Sequence, residues 1–345
     1  AQLYGDPQTD TMSGGRQMNC HFSNATIDRE GRCLDLKNRY NVSADISPTA
    51  GQMARGLGLA FASKKFRENP ALSGDLSENG QEVVFCTIGD ASTSEGVFWE
   101  TLNAAGVLQV PLAVSVWDDG FGISVPRKYQ TAKDSISAAL RGLDGEDGVD
   151  IVTAKAWDYP ALCQVYEEVI GNMRRTHRPA LLHIQEVTQQ LGHSTSGDHR
   201  RYKSPERLAW EEEYDCNRRM ESWMLETGIA SEAEISQIKT AARKEVQDAA
   251  QRIFQAYHGA VAERRRALEA IIEALRAVHT GSPQFAEIAG EFAAKRDLLR
   301  HELLKYARRM HFALPGIQGP AIGALLDFIG EETRLGSRWY SDYLY

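Results

Sequence analysis

Cysteine is scarce and unpatterned in this chain. Five occur in 345 residues (Cys20, Cys33, Cys86, Cys163 and Cys216), an odd count with no Cys-x-x-Cys pair. A disulfide framework and a zinc site of ordinary spacing are thereby excluded, and a reducing cytoplasm is the simplest compartment for such a chain. No stretch approaches the roughly 18 consecutive apolar residues of a membrane span, so no membrane partner is expected. Basic excess is missing as well: 39 Lys and Arg stand against 47 Asp and Glu, a net charge of −8. That balance argues against nucleic acid as a partner, while leaving room for a local anion site. No Gly-x-Gly-x-x-Gly and no P-loop follows a strand-like run, which disfavours a nucleotide-binding protein. An initiator Met and a signal-like apolar region are lacking at Ala1-Gln2-Leu3-Tyr4-Gly5-Asp6-Pro7. The other end, Trp339-Tyr340-Ser341-Asp342-Tyr343-Leu344-Tyr345, is aromatic where frayed termini are usually polar. A piece of a longer polypeptide is the expectation.

What is present reads as α/β. The first fifty residues are rich in Gly, Asn, Asp and Ser and read as loop, and long loop regions tend to be functional. From Pro48 to about Phe66 the apolar spacing is helical, and Ala54, Gly58 and Ala62 form a small-residue stripe that suits ordinary packing as well as a close helix neighbour. Short apolar runs at 83–88, 112–117, 150–154 and 180–187 predict strands, and the first suits a strand buried on both faces. Helical patterns at 95–109 and 159–173 lie between them, so parallel pairing with right-handed crossovers is expected. After Pro205 the pattern is helical throughout, over 205–226, 232–257, 261–279 and 285–310, with Ser231 and Glu234 spaced as a capping box. Gly316, Gly319 and Pro320 precede a last short helix. A boundary near His258-Gly259 divides the chain into a first domain, 1–258, and a helical connector, 259–345.

Parallel sheets bind ligands beyond the carboxyl ends of their strands. The first strand is followed by Gly89-Asp90-Ala91-Ser92-Thr93-Ser94-Glu95-Gly96. Small residues admit a ligand to the backbone, and Ser92, Thr93 or Ser94 suits the N-cap of the next helix, whose free N–H groups would face a phosphate. Asp90 would repel a bare phosphate but suits a hard cation such as Mg²⁺ lying between. The second strand is followed by Asp118-Asp119-Gly120-Phe121-Gly122-Ile123-Ser124, where a carboxylate and a backbone carbonyl can add further ligands. Each motif alone is most often a simple turn. Together, separated by 119 − 90 = 29 residues, as one strand–helix–strand crossover spaces them, they point to a shared cation site.

That pair of motifs resembles the thiamine diphosphate motif, which runs from Gly-Asp-Gly to a pair of Asn one crossover later. The surrounding sequence is similar to the α half of the E1 component of 2-oxo acid dehydrogenase complexes, over roughly residues 1–258. The likeness includes Ser13-Gly14-Gly15-Arg16-Gln17-Met18-Asn19-Cys20-His21 and Ile46-Ser47-Pro48-Thr49-Ala50-Gly51. It continues through Glu186-Val187-Thr188, Gly192-His193-Ser194-Thr195-Ser196 and Tyr202-Lys203-Ser204. The Gly-Arg-Gln-Met and His-Ser-Thr-Ser segments look closest to the branched-chain type, and a bacterial form with fused α and β halves resembles the chain best.

The resemblance implies a parallel-sheet thiamine diphosphate-binding fold with an α-helical C-terminal extension. It implies Mg²⁺ held by Asp90, Asp119 and the Phe121 carbonyl, and a cofactor site that also takes in Gly89, Ala91, Ser92, Gly122, Ile123 and His193. His193 matches the histidine lining the active-site channel, and His21 would sit near the substrate as a second catalytic residue, a reading of equal weight with that of a plain loop histidine. Ser194 matches a position phosphorylated in mitochondrial relatives, and residues 192–204 match a loop over the channel. The implied partners are an E1 β half (fused or separate), which brings the activating glutamate, the lipoyl domain of E2, and a 2-oxo acid, in an α2β2-type assembly. The chain is then expected to turn over no 2-oxo acid without its β half. A catalytically silent α/β homologue serving as a binding or scaffold subunit, or a pyruvate or acetoin type of E1, is the alternative.

Departures from the pattern are specific. Ala91 replaces the second Gly, and Asp118-Asp119 replaces Asn-Asn, adding negative charge that metal and helix N-terminus must offset. Gln189-Gln190-Leu191 stands where Tyr-Arg is common, and Lys203 where Arg is. His183 reads as a satisfied core histidine, Glu95 as support for a helix start, and His199-Arg200-Arg201 as a solvated loop.

Overall fold

A computed structural model describes residues 26–28, 30–38, 41–43, 48–74, 76–193, 198–279, 281–296 and 298–341. Helix α1 (Met53–Glu68) leads into β1 (Val84–Gly89), α2 (Gly96–Leu108) and β2 (Leu112–Trp117). A small antiparallel pair, β3 (Phe121–Gly122) and β4 (Val125–Pro126), and the single turn α3 (Ile136–Ala139) follow. Then come β5 (Asp150–Lys155), α4 (Tyr159–Thr176) and β6 (Ala180–Gln185). The strands fall where the apolar runs predict, and β1, β2, β6 and β5 pair side by side, all parallel.

Alternation along the strands separates two packing layers. Val114 and Val116 of β2 and Leu181 of β6 face Met53 and Ala60 of α1, Phe98 and Leu102 of α2, and Ile136 of α3. Ala113 of β2 and Ala180, Leu182 and Ile184 of β6 face Met173, Val165 and Val169 of α4. Helices on both faces of β2 and β6 explain why those runs are continuously apolar, whereas β1, against expectation, is buried on one face only, with Phe85 50% exposed on the other. The crossovers through α2 and α4 bring every strand's carboxyl end to one edge. The register sets Gly89 beside Trp117 and Trp117 beside Ile184, so Asp90 and Asp118 leave the sheet at neighbouring points.

Beyond the sheet the helices divide differently from the sequence pattern. The 205–226 tract is two helices, α5 (Pro205–Glu213) and α6 (Cys216–Glu226), parted where Asp215 caps α6 by accepting from the Arg218 N–H at 3.0 Å. No break occurs at His258-Gly259: α7 (Glu232–Val278) passes straight through it. The 285–310 tract is α8 (Pro283–Ala294) and α9 (Arg300–Phe312), and the last helix, α10 (Pro320–Ser341), is 22 residues long rather than short. The chain divides into two compact units, with the boundary along the chain between Glu232 and Ala233. In the second unit, Leu268, Ile272 and Leu275 of α7 pack with Phe285 and Phe292 of α8, Leu303 and Met310 of α9, and Leu325 of α10. Among the described residues no helix is long and apolar enough to cross a membrane.

Candidate functional site

Three carboxylates gather at the carboxyl ends of β1 and β2. Asp90 is buried, and its Oδ2 makes no hydrogen bond. Burial, then the charges of Asp118 and Asp119, push its carboxyl up to about 7. Asp119 is half-buried and its Oδ1 accepts from the Phe121 N–H at 3.0 Å; burial raises its pKa as well. Asp118 behaves in the opposite way: burial works to raise its pKa, but the His183 hydrogen bond and the Arg127 charge outweigh it and hold it low. A buried, unpartnered carboxylate oxygen beside two more carboxylates is what a hard divalent cation would satisfy.

The turn after β1 differs from the sequence expectation. Residues Ala91–Ser94 form a short 3-10 turn, and α2 starts only after Glu95, whose side chain makes no capping bond. None of Ser92, Thr93 and Ser94 caps α2, because this extra turn separates them from its first residue. Thr93 Oγ1 instead donates to the Asp90 carbonyl at 2.6 Å, and Trp99 Nε1 to the Thr93 carbonyl at 2.9 Å. Glu95 does mark the helix start, as the sequence suggests, through its backbone.

The turn after β2 lies against this one. A Cβ on Gly122 would sit 2.8 Å from Ala91 Cβ and 2.7 Å from Gln130 Nε2, so only glycine fits. Ile123 follows with φ 60°, an outlier for a β-branched residue, and is 64% exposed. Strain of this kind concentrates at functional sites. Gly89 is exposed, while Ala91, Ser92 and Phe121 are half-buried. Arg207 of α5 donates to the Asp119 carbonyl at 2.8 Å and stands over the Phe121 ring at 5.7 Å. Lys203 is buried, bonded to the Gln189 carbonyl at 3.0 Å and to Glu211 at 2.8 Å, and Glu211 also takes Arg207 at 2.8 Å. The ends of the 189–204 segment are thus tied to α5, and through Arg207 to the carbonyl of Asp119. Lys203, where Arg is common, serves here as a buried structural cation.

His193 is exposed on that segment. His21 and Ser194 lie outside the described residues. His183 is buried with both ring nitrogens partnered, as a core histidine should be, yet its partner is Asp118. Arg200 pairs with its neighbour Asp198 at 2.8 Å on the surface. Sequence reasoning missed Arg127, Gln130, Arg207 and Glu211. The Arg207–Glu211 spacing of four on one helix was the available signal. Among the described residues no group of three or more His, Cys, Asp and Glu side chains is arranged to hold a metal ion. The expected set is leaner: two carboxylates and one carbonyl.

A family model described as "Dehydrogenase E1 component" matches residues 17–259. The chain belongs to this family. It is an α-type E1 chain, because the relatives it matches are named as alpha subunits. It is 26% identical over 251 residues to the mitochondrial 2-oxoisovalerate dehydrogenase subunit alpha of Pan troglodytes, covering 72% of this chain and 49% of that protein. Against the 2-oxoisovalerate dehydrogenase subunit alpha of Bacillus subtilis the identity is 27% over 224 residues, with 65% and 58% covered. Against the mitochondrial subunit alpha 1 of Arabidopsis thaliana it is 27% over 246 residues, with 69% and 44% covered. The chain spans about half the length of the curated relatives it matches. The E1 match ends at residue 259, inside α7, whereas the first compact unit ends at Glu232.

Proposed function

We propose that this E1 chain is the α part of a 2-oxo acid dehydrogenase E1 component of branched-chain type. In this reading it binds Mg²⁺ and thiamine diphosphate for oxidative decarboxylation of a 2-oxo acid and acyl transfer to a lipoyl domain of E2. The observation that carries the reading is the buried, unpartnered Asp90 Oδ2 beside Asp119 at the strand ends. Asp90, Asp119 and the Phe121 carbonyl would hold the cation, with Ala91 and Ser92 at the diphosphate and Gly122 and Ile123 along the cofactor. Bound there, thiamine diphosphate supplies a nucleophilic carbon and an electron sink for loss of CO₂.

The chain's own residues bind and orient. Asp90 and Asp119 neutralise the cation, Arg207 holds the turn that carries Asp119, Lys203 ties the 189–204 segment to α5, and His193 would donate a proton to the substrate side. His21 belongs to the same channel in this reading. A β half completes the site in an α2β2-type assembly, and the cytoplasm is the compartment we infer.

Calorimetric titration of the full chain tests the cofactor step. Thiamine diphosphate should bind only with Mg²⁺ present, and Asp90→Asn should abolish that Mg²⁺-dependent binding; binding without a divalent cation would overturn it. A 2-oxo acid assay tests the rest, with no turnover by the chain alone and turnover once a β half is added. Faster turnover of branched substrates than of pyruvate is the expected preference. Cofactor binding without turnover in the assembled complex would make the chain the silent subunit instead.

A further inference from the structure

The doubled aspartate of the second turn divides into two unlike residues. The side chain of Asp118 is fully buried, and both its oxygens are engaged. Oδ1 accepts from the Gly120 N–H at 2.9 Å, and Oδ2 accepts from His183 Nε2 at 2.8 Å and from Arg127 Nη1. Asp90 Oδ2 has no such partner, and Asp119 spends one oxygen on the Phe121 N–H.

The partners of Asp118 come from two directions. His183 belongs to β6, the strand beside β2, and its Nδ1 lies 2.9 Å from Ser137 Oγ of α3. A carboxylate only accepts, so Nε2 carries the proton and Nδ1 receives the Ser137 hydroxyl. The backbone repeats the attachment: the Asp118 N–H donates to the Ile184 carbonyl at 2.9 Å, and the Val187 N–H donates to the Asp118 carbonyl at 3.0 Å. Arg127 closes the other side, since its own N–H donates to the Gly120 carbonyl at 2.8 Å. The turn is therefore pinned at its first residue to β6 and at its far end to Arg127. Between these pins lies Asp119, and Phe121 follows directly after the second.

We propose that Asp118 is a positioning residue and no cation ligand: clasped by His183 and Arg127, it fixes the 118–122 turn so that Asp119 and the Phe121 carbonyl face the cation site at Asp90. This rests on the cation-site reading given above. It accounts for a second acidic residue beside a diphosphate site, because the charge of Asp118 is spent on His183 and Arg127. Residues behind metal ligands commonly set metal affinity in this way.

The test is Mn²⁺ binding to the full chain with thiamine diphosphate, read by electron paramagnetic resonance and calorimetry, with melting temperature in parallel. Asp119→Asn should weaken Mn²⁺ binding and change the spectrum. Asp118→Asn keeps an oxygen for Gly120 and lets His183 change tautomer, while Arg127 loses this acceptor and keeps Asp134; it should leave the spectrum unchanged and weaken binding less than Asp119→Asn does. His183→Leu removes the β6 half of the clasp, leaving the buried Asp118 carboxylate to Arg127 and the Gly120 N–H, and should weaken binding about 10- to 100-fold. The proposal falls if Asp118→Asn weakens Mn²⁺ as Asp119→Asn does, which would make Asp118 a ligand. It also falls if folded His183→Leu binds as the parent chain does, which would make the clasp merely structural. Should His183→Leu not fold, the single Asp118→Asn variant still decides between ligand and anchor. If the parent chain takes up no Mn²⁺, the cation-site reading itself fails and the positioning role with it; if it does and only the variants disagree, the positioning role alone fails.

Discussion

His177 ends α4 with φ 63°, a left-handed conformation that Asn also adopts readily, and its Nε2 donates to the Gly80 carbonyl at 2.7 Å. Burial lowers its pKa from 6.5; the Gly80 bond and Glu82 work against that, while Arg67 and Lys64 add to it. With the folded value depressed, stability is intact above the ordinary imidazole value and is lost as the pH falls through the folded one. His177→Asn keeps the backbone conformation and removes the titration. Thermal melts at about pH 7 and about pH 5 should therefore show a smaller loss for the variant than for the parent. An equal loss in both would place the acid sensitivity elsewhere. Residues of this kind show what a sequence conceals at its smallest scale. His177, His183 and Lys203 are each unremarkable in a string of letters. Their roles depend on Gly80, Asp118 and Glu211 respectively, and in the first two pairs the residues lie 97 and 65 positions apart.

Among elements, α1 and β1 meet where Gly56 lies over Cys86. A Cβ on Gly56 would overlap Cys86 Sγ and come within 3.6 Å of Leu112 Cδ1. Gly56→Ala should cost about 1–3 kcal/mol by overpacking. Cys86→Ala removes the offending sulfur, so the double variant should regain most of that loss, a coupling that denaturant titration of all four forms would measure. Additive losses would show that α1 moves as a body instead. This contact was not legible beforehand: Gly56 reads as a weak point in a helix, and its use appears only with the strand beneath it. The strands themselves were legible, because burial on both faces leaves continuous runs such as Leu112-Ala113-Val114. The two acidic turns were legible too, since one crossover fixes their spacing. Helix ends were less so. Gly259 suggested a break, yet a glycine costs an exposed helix interior only about 1 kcal/mol, which its long neighbours absorb. The end between α8 and α9 was hidden because Leu299, an unusual cap, stands there with Glu302 closing the turn at 2.9 Å.

At the scale of the whole molecule, each compact unit has its own buried core, and the candidate site draws only on the first. The second adds a buried charge of its own: Glu332 accepts from Arg264 Nε at 2.6 Å and Arg300 Nε at 3.4 Å, and Arg264 stands 4.6 Å over the Phe328 ring. Among the described residues of that unit no buried side-chain oxygen lacks a partner, as Asp90 Oδ2 does in the first. Separate cores favour separate unfolding. Calorimetric melting of the full chain should accordingly show two transitions, and Mg²⁺ with thiamine diphosphate should raise only one of them. At a ligand concentration near 100 times Kd the gain is about 2.7 kcal/mol. For a unit of this size that shifts the midpoint by roughly 5–10 °C. Asp90→Asn should abolish the shift while leaving the other transition where it was. A single transition that moves as a whole would mean that the cores melt together. A shift confined to the helical unit would put the ligand in the wrong half of the chain, and the reading of Asp90 and Asp119 as a cation site would go with it.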